Sequence, residues 1–517
     1  MKKPDTSGFG FTNAAVYTVF AALGLIAVLM ALKSTSAYGA GMSPDAVSYI
    51  STAEHLLEGK GYLDYDGLPY LMWPPLFPTV LALLGLTGME PHTAARFLNA
   101  VCFGLIVFCS GLLFSLRIRS RSLVILGAVA ILLSFILLQL SAYAFSEPLF
   151  IVLLILFMFN ISKFLETRQL KPLIFAALCA ALATLQRYVG LTTIIAGVFS
   201  ILLFTRKSVL LERLKYSLIF GAAACTPNAV WFIHNKLAAG STTARHFYLK
   251  ATVDWLVLRP LNGITPWFVT AKFPLATRLV IIGIFAGLLV TAVILRRLKF
   301  GKELAGNTSL PKACAVLILI YAFFTLSAAA FAGADANERL WASLYVFLIL
   351  FILIGLEAFG RLLGLVLKKD WAAYLVVIVL CSLWLIFYSL PVVKQKINQF
   401  QKFGAPGINS AFWHQSPLIQ WLKTHPLQGQ VFSNEPATVY FWTGRYVRLS
   451  PHRRGGVSRL IISLDQFKQL ISKEKNNYII WSFKEPRPDL YNLKELNSMF
   501  KLKLLAQLQD GVVVKIE

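Results

Sequence analysis

The chain has 517 residues, of which 57% are hydrophobic and only 14% are charged, with a mean hydropathy of +0.67. This composition excludes an ordinary soluble protein and predicts a polytopic α-helical membrane protein. Lysine and arginine outnumber aspartate and glutamate by 49 to 24, for a net charge of +25. In so apolar a chain, that excess indicates basic cytoplasmic loops rather than nucleic-acid binding.

Apolar stretches of about 20 residues, long enough to cross a bilayer, recur through the first three-quarters of the chain. They lie near residues 14–32, 93–116, 122–140, 147–162, 172–186, 189–205, 215–233, 277–295, 312–331, 340–358 and 371–390. The apolar piece 76–88 is short and bounded by proline and glycine, which predicts a juxtamembrane helix. With about eleven spans and a cytoplasmic N-terminus, the basic loops all face the cytoplasm, as the positive-inside rule requires.

The first polar interruption, residues 33–78, is the first predicted outer loop. Within it Asp45 follows Ser43-Pro44 and opens a pattern of apolar residues at helical spacing that ends at Gly59. Proline before the first turn and an acid within it are typical of a helix N-terminus. Because a carboxylate at a membrane surface is costly unless it is solvated, paired or used, Asp45 is a candidate functional residue.

Charged residues in the other predicted outer loops cluster at the ends of spans, on the same side of the membrane as Asp45. These residues are Glu147, Arg187, Arg245, His246, Asp335, Glu338 and Arg339. That they share one side favours a common site at the outer face.

The chain divides into a predicted membrane domain, residues 1–390, and a predicted extracytoplasmic domain, residues 391–517. In the second part, helical patterns alternate with short β-rich runs at Gln430–Ser433, Tyr446–Leu449, Tyr478–Phe483 and Val512–Ile516. This alternation predicts a small α/β domain with a mostly parallel sheet. The domain is basic, which fits either attraction to anionic headgroups or phosphorylated substrates, or merely a solvated basic surface.

The first outer loop, from Ser43-Pro44-Asp45 through Trp73-Pro74-Pro75, resembles that of the GT-C superfamily of membrane glycosyltransferases. The motifs Ser146-Glu147-Pro148, Gln186-Arg187-Tyr188 and Asn337-Glu338-Arg339 fit the same resemblance. The likeness is to bacterial relatives of protein O-mannosyltransferases and of the transferase that adds aminoarabinose to lipid A. One departure is Ala46, which stands where protein O-mannosyltransferases carry a glutamate after the aspartate, and it argues against protein mannosylation.

The resemblance implies transfer of a sugar from a polyprenyl-phosphate donor to an acceptor on the outer face. A hydroxyl that attacks an anomeric carbon needs a base, and Asp45 is the predicted one, with Glu147 as a supporting acid. A single displacement inverts the anomeric centre. Cations stabilise a departing lipid phosphate, and the predicted phosphate-binding residues are Arg187, Arg245 and Arg339. The predicted substrate contacts are Tyr49, Trp73, Tyr188, Asp335 and Glu338.

We expect no cofactor beyond the donor itself and no metal site, although a divalent metal stays open. The expected partners are the lipid-linked donor, membrane lipid and a glycan, lipid or protein acceptor, and the expected location is the inner membrane. Two alternatives remain. A flippase or transporter for lipid-linked saccharides should carry its charges near mid-bilayer. A non-enzymatic envelope assembly protein leaves the acidic first loop unexplained.

Overall fold

The computed structural model describes residues 13–205, 208–243, 252–300, 308–332, 335–453 and 462–517. Within these ranges, a bundle of long apolar helices carries a packed first loop and a small sheet near the C-terminus. In chain order, the first helices are α1 (Asn13–Ser34), α2 (Pro44–Leu57), α3 (Leu76–Gly85), α4 (Pro91–Ser115), α5 (Arg121–Leu132), α6 (Phe135–Ala142), α7 (Glu147–Thr167), α8 (Leu170–Gln186) and α9 (Leu191–Phe204). Next come α10 (Leu210–Ala239), α11 (Arg259–Ile264), α12 (Leu275–Phe300), α13 (Ser309–Ala332), α14 (Glu338–Trp341), α15 (Tyr345–Leu367), α16 (Asp370–Trp384) and α17 (Leu390–Phe403).

Eight of the described helices are long and apolar enough to cross a bilayer, or nine when α5 and α6, bent by 45° at their junction, form one span. The shorter apolar helices α8 and α9 coincide with two further predicted spans. The predicted positions of the spans are therefore confirmed, whereas the count of about eleven crossings stays a prediction. With 10 residues, α3 is about 15 Å long and too short to cross, as expected of a juxtamembrane helix.

The helix predicted at Asp45 is present as α2. Its N-cap is Ser43, whose hydroxyl accepts a hydrogen bond from the Ala46 backbone amide at 3.3 Å, and Pro44 occupies the first turn. The helix ends before Gly59, which adopts a left-handed conformation with φ of +72°. Most of α2 is buried, including Val47, because α3 and α4 pack on it.

The C-terminal part is an α/β unit with a five-stranded sheet in the order β2-β1-β3-β5-β4. Its elements are α18 (Ala411–His414), α19 (Pro417–Thr424), β1 (Gln430–Ser433), α20 (Pro436–Thr443), β2 (Arg448–Leu449), α21 (Leu464–Ile471), β3 (Asn477–Ser482), α22 (Leu493–Met499), β4 (Leu502–Leu508) and β5 (Gly511–Ile516). The domain boundary at residue 390 stays a prediction.

The predicted mostly parallel sheet is wrong in its second half. Strands β1 and β2 and strands β1 and β3 pair in parallel, but β5 pairs antiparallel with both β3 and β4. The sequence prediction missed β4, an edge strand whose side chains are largely exposed and therefore lack an alternating apolar face. Strands β4 and β5 form a hairpin with the two-residue turn Gln509-Asp510, because Leu508 pairs with Gly511.

The first loop lies between the helix bundle and the C-terminal unit. Tyr440 donates a hydrogen bond to Glu54 Oε2 at 2.9 Å, and the Tyr446 hydroxyl lies 3.0 Å from His55 Nε2. The backbone amide of Ile408 also donates to Met42 O at 2.9 Å. These contacts hold α2 on two sides, so the start of α2 is fixed by tertiary packing as well as by its cap.

The turn after α2 buries two aspartates. Asp64 accepts hydrogen bonds from Ser48 Oγ at 3.1 Å and from the Tyr65 backbone amide at 2.8 Å. Burial, and then the charge of Asp66, raise the pKa of Asp64 to about 7, and burial also raises the pKa of Asp66. The folded protein thus holds this proton more tightly than the unfolded chain. The resulting stabilisation is complete below about pH 4 and is lost as the pH rises through 7.

Replacing Asp64 by asparagine should remove this pH dependence, because the amide stays uncharged when buried. The difference between the Tm of Asp64→Asn and the Tm of the parent should shift in favour of the variant by about a few degrees when the pH is raised from 5 to 8. Thermal unfolding in detergent measures both Tm values. Asp465→Asn, which changes an exposed aspartate, should differ from the parent by the same amount at both pH values. A Tm difference for Asp64→Asn that is constant with pH would contradict the assignment.

Helices α16 and α17, joined by a π-helical turn at Leu385–Ser389, form a 34-residue stretch about 51 Å long. Because such a helix exceeds the bilayer thickness, its two ends should lie on opposite sides of the membrane. Reporter fusions at Lys369 and Gly429 should report the cytoplasm and the exterior, respectively. Fusions that report one side for both positions would exclude the predicted topology.

Candidate active site

Four charged residues from four separate elements meet at one end of the bundle. Arg339 Nη1 lies 2.8 Å from Asp45 Oδ2, while Arg339 Nε donates to Glu147 Oε1 and Nη2 to Glu147 Oε2 at 3.3 Å. Arg187 Nη1 lies 2.8 Å from the same Glu147 Oε1. The predicted base, supporting acid and two of the predicted phosphate-binding residues are therefore in direct contact. We call this group the ion cluster.

Local sequence places Glu147 and Arg187 at helix ends. Glu147 is the first residue of α7, where an acid complements the helix dipole, and Pro148 suits the following position. Arg187 has an extended backbone with φ of −153° and ends α8. The chain then turns back sharply: a Cβ on Gly190 would lie 2.3 Å from the Ala183 carbonyl oxygen, so only glycine allows this approach.

Arg339 is oriented from three directions. Its backbone amide donates to the side chain of Asn337, the N-cap of α14, at 3.1 Å. Its guanidinium carbon lies 3.7 Å from the centroid of the Phe145 ring, a cation–π contact. Together with the carboxylates of Asp45 and Glu147, these contacts fix a long side chain that would otherwise sample many rotamers.

Two residues beside the cluster were missed by sequence reasoning. Ser146 Oγ accepts a hydrogen bond from Arg187 Nη1 at 2.9 Å and lies 3.5 Å from the Tyr49 hydroxyl, while its carbonyl accepts from Gln186 Nε2 at 2.9 Å. Phe145, the residue before it, stacks on Arg339. The Ser146-Glu147-Pro148 motif pointed to Ser146 as part of a helix start, but nothing in the sequence indicated that its hydroxyl faces Arg187.

The ion cluster is formally neutral and unevenly exposed. The Glu147 side chain is fully buried, whereas 28% of the Asp45 side chain and 19% of the Arg339 side chain are exposed. Arg187 is buried too, and its Nε has no hydrogen-bond partner among the residues that the structure describes. The Asp45 carboxylate is therefore partly accessible to solvent. The buried Nε–H of Arg187 is a hydrogen-bond donor without a partner among the described residues.

Tyr49 borders the cluster from within α2. Burial, and then the negative charge of Asp45, raise the pKa of its hydroxyl to about 12. The hydroxyl therefore remains protonated near neutral pH. It can act as a hydrogen-bond donor or acceptor at the site, but not as a base.

The other predicted substrate contacts lie farther out. Trp73 meets Tyr49 edge-on with the ring centroids 6.2 Å apart, and Tyr188 stacks on Phe232 at 5.8 Å. Asp335 is exposed and lies 3.8 Å from Arg259.

Glu338 adjoins the backbone at Gly263 rather than the ion cluster. The roles of these residues stay predictions. Arg245 and His246 lie outside the described residues.

The described part of the chain contains no group of three His, Cys, Asp or Glu side chains placed to hold a metal ion. Asp45 and Glu147 are bridged by a guanidinium, which occupies the position that a cation between two carboxylates would take. The expectation that no metal is needed stays a prediction.

Comparison with known proteins gives matches at the level of structure alone. No protein-family profile and no curated protein sequence matches this chain. The chain is similar to ArnT from Cupriavidus metallidurans in the apo state, with 13% identity, a TM-score of 0.60 and coverage of 96% of this chain and 97% of ArnT. The same protein bound to undecaprenyl phosphate gives a TM-score of 0.61, 13% identity and coverage of 98% of both chains.

A more distant likeness is to the oligosaccharyltransferase AglB from Archaeoglobus fulgidus, solved with an inhibitory peptide and a dolichol-phosphate. The TM-score is 0.53 at 11% identity, over 90% of this chain and 69% of AglB. Identities this low establish the fold alone. On that basis the chain has the fold of ArnT and AglB, which agrees with the fold that the motifs of its outer loops predicted.

Proposed function

We propose that this protein transfers a sugar from a polyprenyl-phosphate donor to an acceptor at the outer face of the membrane, with Asp45 as general base. The observation that carries the proposal is the ion cluster, in which a partly exposed carboxylate adjoins two guanidinium groups. Two similar structures support it, because ArnT was solved with undecaprenyl phosphate and AglB with a dolichol-phosphate. Both ligands are polyprenyl phosphates.

The reaction balances with the groups at hand. An acceptor hydroxyl attacks the anomeric carbon as the bond from that carbon to the phosphate oxygen breaks. Asp45 takes the hydroxyl proton, and the bonding electrons leave with the polyprenyl phosphate. A single displacement of this kind inverts the anomeric centre. The phosphate gains one negative charge as it departs, so fixed cations beside it stabilise the transition state more than the bound donor.

The arginines suit this role because Glu147 holds them in place. Arg187 keeps a buried Nε–H without a hydrogen-bond partner among the described residues, which is a donor available to a phosphate oxygen. Arg339 is shared between Asp45 and Glu147. A donor phosphate that engages Arg339 competes with Asp45 for Nη1 and leaves that carboxylate free to accept a proton. Donor binding thereby prepares the base.

The transporter alternative fits the geometry less well. A pathway through the membrane places charged groups near mid-bilayer in several helices. Here Asp45, Glu147, Arg187 and Arg339 all lie at helix termini, on one end of the bundle. A site at one membrane face suits chemistry on a lipid headgroup.

Asp45→Asn should lower the transfer rate by about 10²–10⁴-fold without loss of donor affinity, because the amide keeps the shape, accepts no proton and competes less than the carboxylate for Arg339. The assay is transfer from undecaprenyl-phosphate-linked sugars by purified protein in liposomes, with donor affinity measured separately. The sugar to use comes from comparing the lipid-linked sugars of a deletion strain with its parent. Asp465→Asn serves as the matched control, and a parental rate for Asp45→Asn would remove the base assignment.

Arg187→Ala should weaken donor binding by about 10-fold or more, since a charge-assisted contact to phosphate is lost. The same change leaves Glu147 buried with one cation fewer, which destabilises the fold. The double variant Arg187→Ala with Glu147→Gln separates these effects, because it removes the unpaired charge as well. We expect it to regain Tm but not donor affinity. Recovery of both would show that Arg187 serves only to compensate Glu147.

A further inference from the structure

The four residues between α6 and α7, 143–146, are not helical, and we call them the α6–α7 break. All four are buried, and Glu147 of the ion cluster follows them directly. Buried backbone carbonyls need hydrogen-bond partners, and those of a non-helical segment do not find them within a helix. The contacts that satisfy these carbonyls therefore also fix the path of the chain into the ion cluster.

Asn99, a fully buried residue of α4, satisfies two of these carbonyls. Its Nδ2 donates hydrogen bonds to the carbonyl oxygen of Tyr143 at 2.7 Å and to that of Phe145 at 2.9 Å. Its Oδ1 has no hydrogen-bond partner among the residues that the structure describes, so Asn99 acts on the break through its N–H groups. Contacts at two points fix the orientation of the backbone on both sides of Ala144.

The side chains of the same two residues form a stack that ends at the ion cluster. The rings of Tyr143 and Phe145 have centroids 4.6 Å apart and planes that differ by 8°. The guanidinium carbon of Arg339 lies 3.7 Å from the Phe145 centroid. Both groups lie at contact distance over the Phe145 ring and would overlap on one face, so they occupy opposite faces. Phe145 therefore lies between Tyr143 and Arg339.

The Tyr143 ring is itself held on several sides. Its hydroxyl donates a hydrogen bond to Pro406 O at 2.6 Å, and its ring meets the Phe400 ring edge-on with the centroids 6.5 Å apart. The backbone of the first loop also packs against it, because a Cβ on Gly41 would lie 2.8 Å from Tyr143 Cδ1. These contacts leave the ring little freedom to move away from Phe145.

The Phe145 ring restrains Arg339 in a direction that the carboxylates do not. Arg339 donates to Asp45 and Glu147 through N–H groups that lie in the plane of its guanidinium. An aromatic ring against the face of a guanidinium opposes motion out of that plane. The stack and the two carboxylates together fix the orientation of the Arg339 head group.

We propose that Asn99 is a positioning residue for the transfer reaction: by holding the α6–α7 break, it keeps the Phe145 ring against the Arg339 guanidinium. The proposal rests on the proposed function, since it assigns Asn99 an effect on the transfer step. The orientation of Arg339 matters most in the transition state, where the departing phosphate gains charge. Asn99 acts through Phe145 rather than on the reacting atoms.

Two variants test the two halves of this connection. Asn99→Leu keeps the size of the side chain but removes its donors, whereas Phe145→Leu keeps the hydrogen bonds of the break but removes the ring. Each should lower kcat by about 10-fold with a smaller change in KM, because the transition state depends on Arg339 more than the bound donor does. The double variant should lose no more activity than either single variant, since both changes act on one contact.

A second measurement does not depend on sugar transfer. Phenylglyoxal modifies guanidinium groups, and peptide mass spectrometry of the folded protein gives the rate of modification at Arg339, with the exposed Arg119 as internal reference. This rate should rise several-fold in both variants, because the guanidinium face is uncovered. If Asn99 only satisfied carbonyls, its loss would lower Tm and leave both kcat and the labelling of Arg339 at parental values.

Matched controls come from α7. Asn160→Leu removes an amide whose Nδ2 donates to Leu156 O, on the same helix, at 2.8 Å. Phe157→Leu makes the same change as Phe145→Leu at a buried ring in the middle of α7. Both controls should keep the parental kcat and the parental labelling of Arg339. Asn99→Ser, which retains one donor, replaces Asn99→Leu where the latter does not fold.

The outcomes separate this proposal from the proposed function. Parental labelling of Arg339 in Phe145→Leu would overturn the positioning role, and so would kcat losses that multiply in the double variant. Faster labelling of Arg339 in both variants, from a parent that transfers no sugar, would retain the positioning of Arg339 and count against the proposed function alone.

Discussion

The ion pairs of the buried Glu147 carboxylate are the interaction on which the arrangement of the ion cluster depends. A charge removed from water is tolerated only when partners replace its hydration, and here Arg187 and Arg339 both do so. These arginines belong to a helix break and a short helix far apart in the chain. One carboxylate thereby fixes the start of α7, the end of α8 and α14 relative to each other. Asp45 joins this frame through Arg339.

The first loop adds Asp45, whose side chain is partly exposed, to the residues that Glu147 holds together. Helix α2 is held by α3 and α4 on one side and by α20 on the other, so Asp45 is presented on a rigid element. Tyr440 and Tyr446 of the C-terminal unit reach Glu54 and His55 on the same helix. Rigid support of this kind is what a catalytic carboxylate requires, because small displacements weaken contacts to a reacting group. The C-terminal unit therefore supports the helix that carries Asp45.

Two buried glutamates, Glu147 in α7 and Glu357 in α15, are stabilised by different contacts. Around Glu147 the described charges balance, two acids against two arginines, and hydrogen bonds join them directly. Around Glu357, the Arg119 backbone amide donates a hydrogen bond at 2.7 Å, while Arg117 Nη1 and Arg296 Nη1 lie 3.6 Å and 3.9 Å from the carboxylate, beyond hydrogen-bond distance. Side-chain hydrogen bonds therefore join Glu147 to an arginine, whereas Glu357 attracts these two arginines over longer distances. Glu147 and Arg187 lie at helix ends, as expected because the middle of a bilayer tolerates charge poorly.

The sequence alone determined the elements that depend on interactions between residues close together in the chain. Continuous apolar stretches located the membrane helices, and Ser43, Pro44 and Gly59 located α2, because caps and hydropathy act within a few residues. The predicted topology, which puts these charged residues on one side of the membrane, correctly indicated that Asp45, Glu147, Arg187 and Arg339 lie at one end of the bundle. Edge strand β4 and the antiparallel half of the sheet escaped prediction, since an exposed strand leaves little apolar pattern.

Only the tertiary structure decided which side chains meet. Glu338 and Arg339 are neighbours in sequence, yet successive helical positions point about 100° apart, so only Arg339 faces the acids. Nothing local distinguishes Glu147 as the partner of two arginines, because its contacts join residues up to 192 positions away. For the same reason Asp335 and Tyr188, equally plausible in sequence, lie outside the ion cluster. Pairing across such separations depends on helix rotation and packing, which no single segment encodes.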